Sequence, residues 1–162
     1  MQQKAMKDLQ LLVFELGGGR YALDLSAVRE VVRAVLISPL PDAPAVIEGV
    51  ISVRGQLAAV YDLRARFGLP SAALSPEERM VIAWTGSRLV AFRCDRADRV
   101  EEVPQSRLAE ASRVEGASRH VAGVARLEDG LVVIQDLTAF LDDDEVARLD
   151  SALAAHGQTP HA

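Results

Sequence analysis

Asp62 and Asp136 are the residues of this chain whose type and spacing first suggest catalysis. They lie 74 positions apart, and each ends an apolar segment and precedes a leucine. Paired carboxylates can share general acid and base work, so a small hydrolase that uses both aspartates is one interpretation. An aspartate between a strand and a helical turn also caps that turn through its side-chain oxygen. We therefore predict two capping residues and keep the hydrolase as the alternative.

The other residue types that carry chemistry form no recognisable site. The single cysteine, Cys94, cannot form an internal disulfide, and with His120, His156 and His161 it lacks the spacing of a metal site. The glycine run at 17–19 lacks the lysine and the following helix of a phosphate loop, and no Gly-x-Ser-x-Gly motif is present. We predict no catalytic residue, no metal and no cofactor, and we expect Cys94 to be a small buried residue.

The two aspartates belong to a repeated segment. A shift of 74 positions lays Gly49, Asp62 and several apolar residues on matching residues further along the chain. Only the first copy has an arginine, Arg54, at its corner, where the second copy has the acidic turn 128–130. Repeated positions indicate framework, so function is expected at the unrepeated ones. Arg54 is a candidate interface residue, with a solvated turn arginine as the open alternative.

The composition is that of a soluble folded protein. Of the 162 residues, 49% are apolar and 25% are charged, and the net charge of −5 gives nucleic-acid binding no support. No apolar run approaches the roughly 20 residues that cross a bilayer, so we expect no membrane insertion and a cytoplasmic location. The only tryptophan, Trp84, is predicted to lie in the core, with an anchor near a barrel rim as the alternative.

Glycine turns between short apolar runs predict a series of β-hairpins. Gly17 to Gly19 predict the first hairpin as a three-residue loop, because glycine tolerates positive φ. Similar turns lie at 54–55, 86–87 and 129–130. The predicted strand pairs are 11–16 with 20–25, 49–53 with 56–62, 80–85 with 88–93, and 123–127 with 131–136.

Helices are predicted at three places. Ser26 offers an N-cap, and the valines at 28, 31 and 32 have helical spacing, so one or two turns are expected there before a strand-like segment 34–40. Residues 63–67 form a brief turn that Gly68 ends. The acidic run 142–145 and the apolar stripe of Val146, Leu149 and Leu153 predict a C-terminal helix.

These elements predict an all-β fold of two small barrels, because closure removes exposed sheet edges. Each half of the chain repeats one plan, and the halves are placed at about 11–75 and 76–142, with an exchange of edge strands allowed between them. Residues 1–10 are predicted as an N-terminal tail, 143–156 as the C-terminal helix and 157–162 as a flexible tail.

The segment Gly49-Val50-Ile51-Ser52-Val53-Arg54-Gly55, followed by Val60-Tyr61-Asp62-Leu63-Arg64 and Phe67-Gly68, resembles the CheW family of chemotaxis coupling proteins. The family pattern is a glycine, a short strand, Asn-Leu-Arg-Gly, a second strand, Asp-Leu-Arg and a Phe-Gly close. The resemblance runs from about residue 11 to residue 153. Ser52 and Val53 depart from the usual Asn and Leu, and Ala59 stands where a proline is common.

The resemblance implies a single CheW-like domain at 11–142, made of two SH3-like five-stranded β-barrels around a shared hydrophobic core. It implies a non-catalytic chemotaxis adaptor that binds the regulatory domain of a CheA-type histidine kinase and the cytoplasmic tip of methyl-accepting chemoreceptors, with self-association in arrays. The same role in pilus motility or gene regulation is the alternative within the family.

The resemblance also carries a set of partner-binding residues onto this chain, placed around a groove between the barrels. They are Val28, Glu30, Gly49 and Arg54. Because Glu30 and Arg54 carry opposite charges, we expect them to interact and to shape that groove.

Overall fold

The computed structural model describes residues 8–110 and 120–157. The predicted N-terminal tail up to residue 7 and the tail 158–162 lie outside the described residues, while Gly157 ends the C-terminal helix. The strands are β1 (Leu9–Leu16), β2 (Gly19–Asp24), β3 (Val28–Arg33), β4 (Ile47–Val53), β5 (Gln56–Tyr61), β6 (Arg79–Trp84), β7 (Leu89–Cys94), β8 (Arg96–Val103), β9 (Leu108–Glu110), β10 (Val121–Leu127) and β11 (Gly130–Gln135), and the α-helices are α1 (Leu63–Phe67) and α2 (Asp143–Gly157).

The predicted hairpins are all present, and their turns follow the glycines. In the first hairpin Leu16 pairs with Gly19, so the loop has two residues rather than the predicted three. Gly17 and Gly18 have φ values of 59° and 86°. Positive φ at both central residues matches the right-handed twist of the strands, which favours this tighter loop.

The predicted helix at the valines 28, 31 and 32 is wrong, because these residues lie in β3. Half-buried and exposed residues alternate along β3, and the strand pairs antiparallel with β6. The β-branched valines fit a pleated strand better than a helix. The helical turn lies just before them, as the 3-10 turn Leu25–Ala27. The strand-like segment 34–40 is reduced to one bridge between Ser38 and Val50.

The strands form two sheets that combine both halves of the chain. One sheet has the order β8-β1-β2-β11-β10-β9 and the other β3-β6-β7-β5-β4. The opening hairpin of each half therefore lies in the sheet of the other half, joined by the parallel pairs β2 with β11 and β5 with β7. The exchange involves central hairpins, not edge strands.

Each sheet curls around its own small apolar cluster, and a larger cluster lies between them. Leu11 and Val13 of β1 face the interior of the first barrel, whereas Leu12 and Phe14 face the shared core. In β7, likewise, Ala91 faces the interior of the second barrel and its neighbours face the shared core. Alternation places successive side chains on opposite faces, so these central strands are apolar on both. The predicted fold of two barrels around a shared core is confirmed, but the first sheet has six strands rather than the predicted five.

The C-terminal helix α2 begins at a reciprocal cap and docks by a narrow stripe. Asp142 Oδ1 accepts the Glu145 backbone N–H at 2.8 Å, and Glu145 Oε1 accepts the Asp142 N–H at 2.9 Å. Leu149 and Ala152 are buried in the shared core. Within the described residues, no helix is long and apolar enough to span a membrane.

Candidate functional site

The sequence repeat is reproduced in the geometry of two hairpins. Gly49 pairs with Val60 and Gly123 with Ile134, and in each hairpin the register slips by one residue just before the glycine. Both irregularities are β-bulges, which bend a strand and increase its twist. The repeat therefore encodes the same bent hairpin in both barrels.

Gly49 has a structural reason to be glycine. Its φ is 154°, and a Cβ there would overlap the carbonyl oxygen of Ser38 and lie 2.8 Å from Ile37 Cγ2. Ser38 and Val50 exchange two backbone hydrogen bonds of 2.9 and 2.8 Å across this contact. The chain after β3 thereby reaches β4, the opposite edge of the same sheet, and helps to close the second barrel.

Glu30 and Arg54 interact, as expected from their charges. Arg54 Nε donates to Glu30 Oε2 at 3.0 Å, and Arg54 Nη2 donates to Glu30 Oε1 at 2.8 Å. This bidentate pair joins β3 to the β4–β5 turn across the rim of the second barrel. The Arg54 side chain is 79% exposed, whereas that of Glu30 is 26% exposed. The guanidinium therefore stands on the surface while one partner anchors it.

The turn gives Arg54 an unusual backbone. Its φ is 51° and that of Gly55 is 84°. Left-handed backbone is uncommon outside glycine, asparagine and aspartate, so the hairpin tolerates a less suitable residue here. The Arg54 hydrogen bond lowers the pKa of the Glu30 carboxyl, and the carboxylate raises the pKa of the guanidinium. Both groups are charged at neutral pH.

A cavity of 340 Å³ lies beside this pair at the end of the second barrel. Arg29 and Glu30 line one side, and Arg54 with the neighbouring strand ends lines the other. The complete lining is Arg29, Glu30, Val53, Arg54, Gln56, Ile82 and Leu89.

A larger groove of 580 Å³ is lined by both sheets, and the described lining includes none of the four predicted partner-binding residues. Its walls come from the strands of the first barrel, from the 3-10 turn before β3 and from the end of β6. Val28 lies one residue beyond the groove lining and packs against the shared core. The predicted set is therefore divided: Glu30 and Arg54 mark the barrel rim, Gly49 a packing contact, and Val28 the border of the groove.

Trp84 lies at the surface, which the sequence did not predict. It was expected in the core, but it is 39% exposed and lines the groove. Arg29 occupies the bulge of β3, and its guanidinium carbon lies 5.5 Å from the centre of the Trp84 ring. A bulge changes the direction of the side chain that it carries. The bulge therefore allows the Arg29 guanidinium to lie over the Trp84 ring as a cation–π contact.

At the equivalent turn the first barrel carries an acidic residue, Asp129, where the second barrel carries Arg54. Two arginines bind Asp129. Arg99 of β8 donates to Asp129 Oδ2 at 3.1 Å, and Arg20 donates to Asp129 Oδ1 at 2.9 Å. These two bonds lower the pKa of Asp129 to about 2. The sequence signal was available, since the acidic turn stands where the first copy has Arg54.

Asp62 and Asp136 are caps, as predicted. Asp62 Oδ1 accepts the Ala65 N–H at 3.1 Å, and Asp136 Oδ1 accepts the Thr138 N–H at 3.0 Å. Cys94 is fully buried, and burial raises the pKa of its thiol to about 12. In the described part of the chain no group of His, Cys, Asp and Glu could hold a metal ion.

A largely buried ion cluster holds the linker between the two halves against β7. Arg93 of β7 contacts Glu48 at 3.0 Å and Glu78 at 3.0 Å, and it also donates to the Ala72 carbonyl. Burial raises the pKa of Glu48 despite this partner. We assign the cluster to structure, because each of its charges is paired inside the fold.

Two small barrels around a shared core, joined by exchanged hairpins, define a two-barrel β-module. The family model of the CheW-like domain matches residues 10–145. Over 149 residues the chain is 24% identical to the chemotaxis protein CheW of Klebsiella aerogenes, and the match covers 91% of this chain and 90% of that protein. The chain belongs to the CheW-like domain family.

Two further matches extend this result. Protein FrzA of Myxococcus xanthus is 30% identical over 101 residues, which are 62% of this chain and 63% of FrzA. The crystal structure of the scaffolding protein TtCheW from Thermoanaerobacter tengcongensis superposes with a TM-score of 0.77 at 27% identity. That match covers 85% of this chain and 95% of TtCheW.

Proposed function

We propose that the protein is a non-catalytic chemotaxis adaptor that couples chemoreceptors to a CheA-type histidine kinase and helps to build the signalling array. The observation that carries this proposal is the Glu30–Arg54 pair, which presents a largely exposed arginine held by two hydrogen bonds. A fixed guanidinium loses less conformational freedom on binding than a free one, which favours its use at an interface.

The surfaces divide between partners as follows. The groove lined by both sheets takes the helical hairpin at the receptor tip, and Val28 lies at its border. The barrel ends take the kinase regulatory domain and further copies of this chain, with Glu30 and Arg54 on one such end. The protein then works in the cytoplasm and joins membrane receptor arrays only through its partners.

Coupling of this kind needs no chemistry from the adaptor. A bound partner shifts a kinase between two states only by its differential affinity for them. In an array each contact raises the effective concentration for the next, so avidity can exceed a single affinity by about 10²-fold or more.

Charge reversal at Arg54 tests the proposal. Arg54→Glu places two carboxylates at the rim, so we expect weaker binding to the cognate kinase or receptor and altered kinase autophosphorylation. Arg33→Glu is the matched control, because Arg33 is exposed on β3, the strand that carries Glu30, and has no ion pair within the described residues. The double variant Glu30→Arg/Arg54→Glu restores the ion pair with its charges exchanged. Binding that recovers in this variant would depend on the ion pair, whereas binding that stays weak would depend on the positive charge at position 54. Unchanged binding and kinase control in Arg54→Glu would refute the role of this rim.

An alternative is the same adaptor role in a pilus-motility or gene-regulation pathway. The similarity to FrzA, a relative not named as a chemotaxis protein, is the observation that keeps it open. Co-sedimentation with receptor membranes and kinases of each pathway in turn distinguishes the two. A small hydrolase using Asp62 and Asp136 would instead turn over a substrate. It would lose that activity when either aspartate is replaced by asparagine, which caps a helical turn equally well but carries no charge.

A further inference from the structure

One arginine, Arg29, contacts two separate surfaces of the protein. It lines the 340 Å³ cavity beside the Glu30–Arg54 pair, here called the rim cavity. Its guanidinium carbon also lies 5.5 Å from the centre of the Trp84 ring, and Trp84 lines the groove between the two sheets. A guanidinium within about 6 Å of a ring centre is attracted by the face of the ring. Arg29 therefore joins the rim cavity to the groove.

The strand holds Arg29 less firmly than it holds the neighbouring residues. Val28 and Glu30 pair with consecutive residues of β6, so no residue of β6 stands opposite Arg29. A bulged residue of this kind is left unpaired in the ladder. Arg29 and Glu30 also line the same cavity, although neighbours in a regular strand point to opposite faces. The Arg29 side chain can therefore turn towards either the ring or the rim.

The Trp84 ring, by contrast, is attached to a fixed part of the rim. Trp84 is the ladder partner of Leu89 across the β6–β7 hairpin, and Leu89 lines the rim cavity. Because this pairing sets the backbone of Trp84 relative to the rim, a change in their contact involves the side chain of Arg29 and not the strands.

The charges of the rim cavity leave Arg29 without an ion pair. Arg54 donates to both carboxylate oxygens of Glu30. Arg29 is exposed, and within the described residues it has no carboxylate partner. The charged residues of the lining are two arginines and one glutamate, so positive charge is in excess there. An acidic group that enters the rim cavity attracts Arg29.

We propose that Arg29 couples the rim cavity to the groove by leaving the Trp84 ring for a carboxylate at the rim. With the rim cavity empty, the guanidinium lies over the ring. An acidic group of a partner draws it away, because a charge-assisted hydrogen bond is stronger than an exposed cation–π contact. The ring then offers more apolar surface to an occupant of the groove. The inference rests on the proposed function only for the identity of the two occupants.

The first test uses the full chain without a partner. Trp84 is the only tryptophan, so its fluorescence reports on this ring alone. Arg54→Gln frees the Glu30 carboxylate within the rim cavity, where it competes with the ring for Arg29. Because Trp84 is already 39% exposed, we expect acrylamide to quench its fluorescence up to about twofold more strongly, to the level of Arg29→Gln.

Two controls distinguish this exchange from a general loosening of the rim. Glu30→Gln/Arg54→Gln leaves no free carboxylate at the rim, so its quenching should return to that of the native chain. Arg33→Gln removes an exposed arginine of β3 that lines neither surface and should have no effect. Arg29→Gln/Arg54→Gln should be quenched no more than Arg29→Gln, since both changes act on one contact.

The second test measures the coupling between partners by calorimetry. A soluble fragment of the cognate receptor's hairpin tip is titrated into the full chain, with and without a saturating amount of the kinase regulatory domain. The kinase domain should tighten fragment binding about twofold to fivefold, which corresponds to one exposed cation–π contact. The fragment should tighten kinase binding by the same factor. Both effects should vanish in Arg29→Gln.

The outcomes separate this inference from the function on which it rests. If the fragment or the kinase domain does not bind the native chain, the adaptor proposal fails, and the quenching series alone decides whether Arg29 exchanges between ring and rim. Native quenching in Arg54→Gln, or strong quenching that persists in Glu30→Gln/Arg54→Gln, overturns the exchange. Partners that bind together without coupling, or whose coupling survives in Arg29→Gln, overturn the link between the two surfaces.

Discussion

Gly49→Ala should destabilise the protein by closing the space that Ser38 occupies. The new Cβ would overlap the Ser38 carbonyl oxygen and lie 2.9 Å from the Ser38 carbonyl carbon. Backbone atoms cannot rotate away as a flexible side chain can. The segment after β3 must therefore move, and the bridge between Ser38 and Val50 is lost.

The magnitude follows from two contributions. A non-glycine residue held at the observed φ of 154° costs about 1–3 kcal/mol. Losing the two backbone hydrogen bonds of the bridge costs about 1–3 kcal/mol more. The total of about 2–6 kcal/mol is a large part of the 5–15 kcal/mol that usually stabilises a domain.

Urea unfolding followed by circular dichroism measures this free energy. Gly68→Ala is the control, because Gly68 has a φ of 75° but nothing within 4 Å of its Cβ position. It should cost only about 1–2 kcal/mol, from backbone strain alone. The difference between the two variants isolates the contact with Ser38.

Equal stability of the two variants would refute the close-approach explanation for Gly49. Recovery of Gly49→Ala only as aggregate, beside soluble Gly68→Ala, would agree with it. The same preparation tests the predicted partner-binding role: if Gly49 acts through the fold, binding should fall in proportion to the unfolded fraction. Loss of binding in a fully folded Gly49→Ala protein would instead place the residue in the interface.

Three further predictions concern the charged groups. Arg93→Met leaves buried carboxylates without their cation and should cost about 3 kcal/mol. The pKa of Glu48, already raised by burial, should rise further, so urea unfolding should show stability recovering as pH falls from 7.5 towards 5.5. The pKa of Asp129 is held at about 2, so its ion pairs stabilise the fold above about pH 4 and are lost as pH falls towards 2. Asp129→Asn should be less stable than the native chain at pH 6, and the difference should shrink as pH falls from about 4 through 2. A gap as large at pH 2 as at pH 6 would contradict the assignment. Asp62→Ala and Asp136→Ala should each lower stability by about 1 kcal/mol, whereas the asparagine variants should be near native, and thermal unfolding that shows equal loss in both series would argue against capping.

Local features of the fold were predictable because their causes lie within a few residues. Glycines with positive φ set the turns of the hairpins, and both aspartates cap as expected. The failure at β3 has the opposite cause. The spacing of its valines suits a helix, but pairing with β6 overrides that local pattern.

The candidate site was predictable only in part. Opposite charges suggested that Glu30 and Arg54 meet, and they do, across 24 positions of sequence. The exposure of Trp84 was not predictable, because it depends on where the end of β6 lies relative to the first barrel and on the β3 bulge that aims Arg29 at the ring.

The sequence by itself determined the hairpins, their turns, the caps and the family resemblance, since each depends on neighbouring residues or on a motif. The tertiary structure alone decided which hairpin joins which sheet. The two halves repeat the same plan, so the hairpins β1–β2 and β6–β7 offer similar apolar strands, and local sequence does not distinguish their partners. Only packing across the shared core selects the exchanged pairing, and that pairing creates both the groove and the position of Trp84 beside it.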